Sequence, residues 1–418
     1  MRRKMVLASI FTLTLLILFW AIAVNERGEQ NADSLNVYRE AADGSERKSI
    51  SFGNLSLNGY NQDLLFAPGG GRAIFSGYNY PQNDSGEQTE NPSGMLLMLD
   101  ISKECVTELD QGEFFRVLAW DADGENVLYM KDGSLIRRSL KDDKKITIAE
   151  NSYYGTFSPD GKKIAYIQQK NGLWLCDTDG NQKTRLTTTI DDWYPVWYPD
   201  GQYLFFLNDL GQKLGDGAGH LQGMAKISIA DGTVEKILPQ KTGKFRKAEW
   251  IVPGRSLHVV SGWDDGFFHH IVDLTDGKII DLGENIDNMN FTTDIDTNGG
   301  RLLKAGAGGI IQIYDASGHL QKSFNLAHSY FCWQYYNAAF TTDGNKILTM
   351  RRSTQTESAE PVERIIEVVD IENESAALLS TGSGNYEATF WEPSSGQVLV
   401  LERELSEGSR NLTNFTFL

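Results

Sequence analysis

An aromatic or apolar residue followed four or five positions later by a turn glycine recurs eight times in this chain. The copies are Phe66–Gly70, Trp120–Gly124, Phe157–Gly161, Trp197–Gly201, Trp250–Gly254, Ile295–Gly299, Phe340–Gly344 and Trp391–Gly396, with 37 to 54 residues between successive glycines. The clearest pair, FSPDGKKIAYI from Phe157 and WYPDGQYLFFL from Trp197, carries Pro-Asp-Gly at the corner. Proline presets φ there and glycine takes the left-handed position, so each copy makes a tight hairpin without strain. Self-similarity at this period marks a repeat architecture.

A second pair of alternating segments follows each hairpin, as in LWLCDTDGNQKTRLT, AKISIADGTVEKIL, HHIVDLTDGKIIDL and IQIYDASGHLQKSF. Four short strands per unit of about 40–50 residues is the pattern of a β-propeller blade. The fold expected is therefore all-β, a propeller of four-stranded blades over residues 36–418. Eight turns predict eight blades; the degenerate first, second and sixth copies leave seven open. Glycine (41) far outnumbers proline (10) and aromatics reach 11%, as a turn-rich β chain requires. Residues 36–52 read as outer strands without an inner pair, while the last unit runs out before an outermost strand. One terminus is expected to complete the other's blade, which removes two exposed sheet edges.

Residues 1–24, MRRKMVLASIFTLTLLILFWAIAV, place Arg2, Arg3 and Lys4 before an uncharged apolar stretch from Met5 to Val24. This is an export signal, long enough to remain as a membrane anchor, with Ala21-Ile22-Ala23 offering a cleavage site as the alternative. The positive flank leaves Arg2–Lys4 in the cytoplasm and the propeller outside, beyond a polar spacer at 25–35. If the signal is cleaved, the product is secreted or periplasmic. Taking away those three cations leaves 36 basic against 56 acidic residues, a net −20. Phosphate backbones repel such a chain, so nucleic acid is excluded as a partner. Cys105, Cys176 and Cys332 are odd in number and lack CxxC spacing, which excludes a disulfide framework and reads as packing thiols.

The unit FSPDGKKIAYI…GLWLCDTDGNQKTRLT closely resembles the WD40-like Pro-Asp-Gly repeat of the TolB family. The same repeat forms the propeller of prolyl-oligopeptidase- and dipeptidyl-peptidase-type proteins. The resemblance is strong over 153–209, moderate at 336–350 and weak elsewhere. It implies a propeller that acts as a protein-interaction module at the cell envelope. Two departures matter: TolB itself resembles a six-bladed propeller behind an α/β domain, which is lacking here, and the peptidases add a hydrolase domain with G-x-S-x-G, also lacking.

Insertions 77–94, 208–223 and 352–363 all fall between the second and third strands of a unit, so they are expected to rise on one face. The links between units reach the same face. Its candidate binding residues are Tyr153, Tyr154, Asp191, Asp192, Trp193, Tyr194, Trp263, Asp264, Asp265, Trp333, Tyr335, Tyr336 and Tyr386. Aromatics beside acids at a channel mouth suit a peptide or a basic segment. The competing account is that the rings wedge neighbouring blades apart. The Asp-x-Asp-Gly runs at Asp121 and Asp177 lack the distal ligands of a calcium loop and read as turns. His269-His270 lies in a strand, so the rings point to opposite faces and cannot chelate together. No metal, cofactor or catalytic residue is expected. Three functions stay open: a membrane-anchored module that binds a protein or peptide; an enzyme acting on an extracellular or cell-wall substrate at the channel mouth; and an accessory or sensor subunit contacting a membrane complex through its N-terminal helix.

Overall fold

The computed structural model describes residues 49–50, 55–56, 64–79, 93–214, 220–237, 244–263, 266–285, 292–296, 298–305, 310–325, 337–353, 363–383, 386–394, 396–406 and 409–417. Among them lie eight antiparallel sheets of strands a to d, consecutive in all but the last, whose outermost strand comes from the N-terminal end of the described chain. The chain is an all-β propeller of eight blades. Blade three is representative, with Ser152–Phe157, Lys163–Gln168, Gly172–Asp177 and Thr184–Arg185 as strands a to d. The sheet of blade one has five strands because its strand a is split. Leu55–Ser56 and Leu65–Phe66 pair with opposite ends of Arg72–Asn79.

Every blade faces a neighbour on both sides, and this explains the near-continuous apolar runs of the b and c strands. Along Lys163–Gln168, Ile164 and Tyr166 pack with Leu128 and Met130 of blade two, whereas Ala165 and Ile167 pack with Leu204 and Phe206 of blade four. Eight such buried apolar clusters occur, one between each consecutive pair of blades. The eighth joins Leu399 of the last blade to Phe75 and Leu99 of the first. Cys176 belongs to this packing, and burial pushes its thiol up to about 12.

Ring closure follows the expected route. The last unit supplies three strands, Tyr386–Trp391, Val398–Ser406 and Ser409–Phe417, and Ser49–Ile50 pairs with Ser409–Phe417 as the outermost fourth. Residues 36–48, also read as outer strand, lie outside the described residues, as does the segment 1–24.

The recurring aromatic has a definite task. It ends strand a, and where it is tryptophan its indole N–H bonds to the preceding blade. Trp120 Nε1 donates to Leu65 O (2.9 Å), Trp250 Nε1 to Trp197 O (2.8 Å) and Trp391 Nε1 to Thr342 Oγ1 (3.0 Å). The turn glycines that follow have φ near +70°, including Gly124, Gly161, Gly201 and Gly344 at 67°. At the sixth turn the left-handed residue is Gly300 (62°), one place beyond the expected Gly299.

The interface of blades five and six holds a buried polar chain. His258 Nδ1 lies 2.9 Å from Glu249 Oε1, and His258 Nε2 lies 2.9 Å from His269 Nδ1. With Glu249 ionised, His258 donates from Nδ1, so its Nε2 accepts from His269 Nδ1–H and both rings are neutral. Burial lowers His258 and brings His269 down to about 3. Burial pushes Glu249 up, but Lys247 and His258 outweigh it and hold the carboxyl at about 2. Nearby Lys304 donates to Leu282 O at 3.0 Å.

Two measurements test this account. A Cβ on Gly161 meets open space, whereas one on Gly344 runs into the paired side chains of Arg301 and Asp296. Gly161→Ala therefore costs only the left-handed strain, about 1 kcal/mol, and Gly344→Ala at least twice that, read from urea midpoints. For His269 the folded pKa lies below the unfolded one, so between about pH 6.5 and 3 the unfolded chain binds the extra proton and stability falls with acid. Asp294, raised to about 6 chiefly by burial, works in the opposite direction from about pH 4 to 6. The comparison is therefore with His269→Asn: over that window wild type should lose stability faster than the variant, by up to about 1.4 kcal/mol per pH unit.

Candidate binding site

Strand a begins, and strand b ends, at one end of every blade, so the blade-to-blade links and the b–c connections share a face. The three insertions are all b–c connections, of blades one, four and seven. Their described ends are strand. Tyr203–Lys213 and His220–Ser228 continue pairing to Lys213↔His220 past a bulge, Tyr78 and Asn79 pair with Gly94 and Ser93, and Ser353 pairs with Glu363. The segments 80–92, 215–219 and 354–362 lie outside the described residues.

The link of blade four is built on two carboxylates. Asp192 is 1% exposed; it accepts from Thr187 Oγ1 (2.5 Å), from Thr189 Oγ1 and from the Asp209 N–H (2.8 Å). Asp209, at the end of strand b, accepts from the N–H of Gly211 (2.7 Å) and from those of Ile190 and Asp191 (3.2 Å each). His220 Nδ1 lies 2.9 and 3.0 Å from its two oxygens. Burial raises Asp192, and its hydrogen bonds only partly offset this. Burial also pushes Asp209 up, but the Gly211 N–H and His220 outweigh it and leave the carboxyl lowered. Asp192 was expected to face a ligand; burial and saturation make it a brace for the link instead.

Asp191, beside it, turns outward. It accepts from Trp193 Nε1 (2.7 Å) and the His220 N–H (2.8 Å), and Lys244 Nζ stands 3.4 Å from it. Tyr194 has φ of 49°, an uncommon conformation for an aromatic residue, at a bulge between Trp193 and Val196. The bulge sends the two rings different ways. Trp193 stacks on Tyr153 of blade three (5.2 Å, 13°), and Tyr194 meets Tyr154 (4.6 Å, 58°). Each row ends in a cation: Lys244 Nζ lies 5.9 Å from the Trp193 ring, and the Arg116 guanidinium 5.3 Å from the Tyr154 ring.

Exposed large apolar side chains gather on this face. Phe114 and Ile190 sit on links, Tyr153 at the start of strand a, and Leu210 and Ile310 at b–c ends; Val234 and Leu378 lie instead on outermost strands and Leu320 at the opposite turns. Phe114 is held up by Asp132, whose Oδ1 accepts its N–H at 2.8 Å.

Of the residues expected here, the structure brings together Tyr153, Tyr154, Asp191, Asp192, Trp193 and Tyr194. Trp263 closes strand b of blade five and Tyr386 opens strand a of blade eight. Asp264, Asp265, Trp333, Tyr335 and Tyr336 lie outside the described residues. Sequence reading missed Lys244, Asp209, His220 and Gln222, whose amide donates to Asp191 O (3.0 Å) and accepts the Phe245 N–H (3.0 Å). No motif marks them, because they come from three separated strands and links.

Removing the Asp192 carboxylate strands a backbone N–H and two hydroxyls in a buried site. Asp192→Ala should cost about 3 kcal/mol, seen as a lowered urea midpoint, whereas Asp191→Ala should stay within about 1 kcal/mol of wild type.

No protein-family model matches this sequence, and no curated protein matches it. Solved structures do resemble it. An oligogalacturonate lyase in complex with manganese is 14% identical, with 92% of this chain and 98% of that one covered and a TM-score of 0.47. A protein assigned as TolB from Agrobacterium tumefaciens is 15% identical over 75% of this chain and 94% of that one, with a TM-score of 0.37. The Cps50 (Swd1) β-propeller domain of Myceliophteria thermophila is 13% identical over 88% and 98%, with a TM-score of 0.43. No residue, ligand or reaction carries over at such distances. The eight sheets and their repeat make the chain a β-propeller of four-stranded blades.

Proposed function

We propose that this chain is a propeller held on the outer side of a cytoplasmic membrane by residues 5–24, and that it binds a protein or peptide partner through its link face. One observation carries the reading. Among the described residues, five of the eight exposed large apolar side chains stand on that face, which also carries the Tyr153–Trp193 stack and its Lys244 cation. Rigid aromatic area with a charged group at its edge is the make-up of a binding hot spot, since rings bury much surface for little lost entropy. The braced link beneath keeps the rings in place without a ligand, which lowers the ordering cost of binding. The apolar stretch from Met5 to Val24 after three cations supplies the anchor.

The test compares wild type with Tyr153→Ala and Trp193→Ala in crosslinked capture from envelope extracts. A partner held by wild type should fall at least tenfold on either variant, while far-UV circular dichroism is unchanged. Equal recovery on all three proteins would remove the link face from the interaction. Protease digestion of intact spheroplasts checks the orientation: the propeller should be cut and residues 1–24 retained in the membrane.

A further inference from the structure

Blade five carries histidines at successive positions of strand c, and they have opposite surroundings. His269 faces blade six and belongs to the neutral chain with His258 and Glu249. His270 faces blade four, where Ser261 Oγ lies 2.8 Å from its Nε2 and Asp281 Oδ1 lies 3.8 Å from its Nδ1. The three residues come from three consecutive strands, Ser256–Trp263, Gly266–Asp273 and Lys278–Asn285. His270 pairs in register with Val259 and with Asp281, and Ser261 is two residues beyond Val259, so all three share one face. A bulge between Phe268 and His270 interrupts the c–d ladder at this point, a device that re-aims a side chain. His270 is 1% exposed and Ser261 half-buried.

A serine hydroxyl on one imidazole nitrogen and a carboxylate on the other is the arrangement that activates serine for acyl transfer, and it is recognised by geometry whatever the chain order. We infer that Ser261 is a nucleophile and His270 its general base, giving the propeller a slow carboxylic-ester hydrolase activity at the wedge between blades four and five. Asp281 is a positioning residue. Its half-exposed carboxylate is within ion-pair reach of the imidazolium formed in the reaction. Ser261 lies two residues before the end of strand b, at the link-face end of the blade, where the Gly262 N–H donates to Lys244 O at 2.8 Å.

The step balances within these groups. Ser261 Oγ bonds to the ester carbonyl carbon as its proton passes to His270 Nε2. Collapse breaks the bond to the alcohol oxygen, which takes that proton and leaves as the alcohol. Water then repeats the sequence on the acyl-serine, releasing the carboxylic acid and restoring Ser261. The inference goes beyond partner binding and does not depend on it.

The test treats the full chain with a fluorophosphonate, which serine attacks with loss of fluoride, and maps the adduct by peptide mass spectrometry. Ser261 should be modified near stoichiometrically, and p-nitrophenyl acetate should give a burst followed by slow turnover that Ser261→Ala abolishes. His270→Gln keeps a hydrogen-bonding partner for Ser261 but removes the base, so labelling should slow by about 100-fold. Asp281→Asn, on an exposed strand position, should move the pH midpoint of labelling downward, because a carboxylate beside Nδ1 favours the imidazolium. No adduct at Ser261, or equal labelling rates in wild type and His270→Gln, would overturn the assignment and leave Ser261 as a hydrogen-bond partner for a buried ring.

Discussion

A single blade of this protein has no interior. Its central strands are apolar on both faces, and each face becomes a core only when another blade covers it. Face-to-face packing between consecutive blades is therefore the constraint on which everything else rests. It explains why Ile164 and Ala165, adjacent in sequence, belong to different cores. It explains why Ser49–Ile50 must reach the last blade, since an open ring would leave two apolar faces and two strand edges in water. Tryptophans at the ends of inner strands give this packing direction. Trp120, Trp250 and Trp391 each give their indole N–H to the preceding blade, which fixes the offset between neighbours as well as their contact.

The link face is a consequence of that ring. Chain that leaves an outer strand must return to the centre to begin the next inner strand, and in doing so it crosses one end of the wedge. At blade four the crossing is stiffened from below by Asp192 and Asp209, which gather hydroxyls, backbone N–H groups and His220. What stands above the brace is correspondingly fixed: Trp193 against Tyr153, with Lys244 beside the indole. The aromatic residues thus do both things weighed from sequence. Tyr154 and Tyr194 join neighbouring blades, and Tyr153 joins them while keeping 36% of its surface in solvent.

Blade five shows how a polar residue is accommodated in such a structure. A strand buried on both sides has room for a histidine only where the neighbouring strands supply partners. His269 finds His258, and His270 finds Ser261, on opposite faces one residue apart. One face buries a closed chain of neutral rings; the other places a hydroxyl, an imidazole and a carboxylate in a row across three strands.

Sequence alone determined the repeat, the all-β architecture, the eight turns and the completion of one terminal blade by the other end of the chain, because these rest on local turn chemistry and period-two alternation, which each unit expresses by itself. It also marked Tyr153, Tyr154 and Asp191–Tyr194, since aromatic-acidic links stand out against glycine-rich turns. Even there local reasoning erred by a residue at the sixth turn, and it could not tell that Asp192 braces the link while Asp191 beside it turns outward. That distinction belongs to tertiary structure: the Asp209 N–H, Lys244 and His220 reach the link from strands 17 to 53 residues away. The Ser261–His270–Asp281 row was equally illegible, because what joins those residues is register across three strands and a bulge, and cross-strand register is set by packing against the next blade.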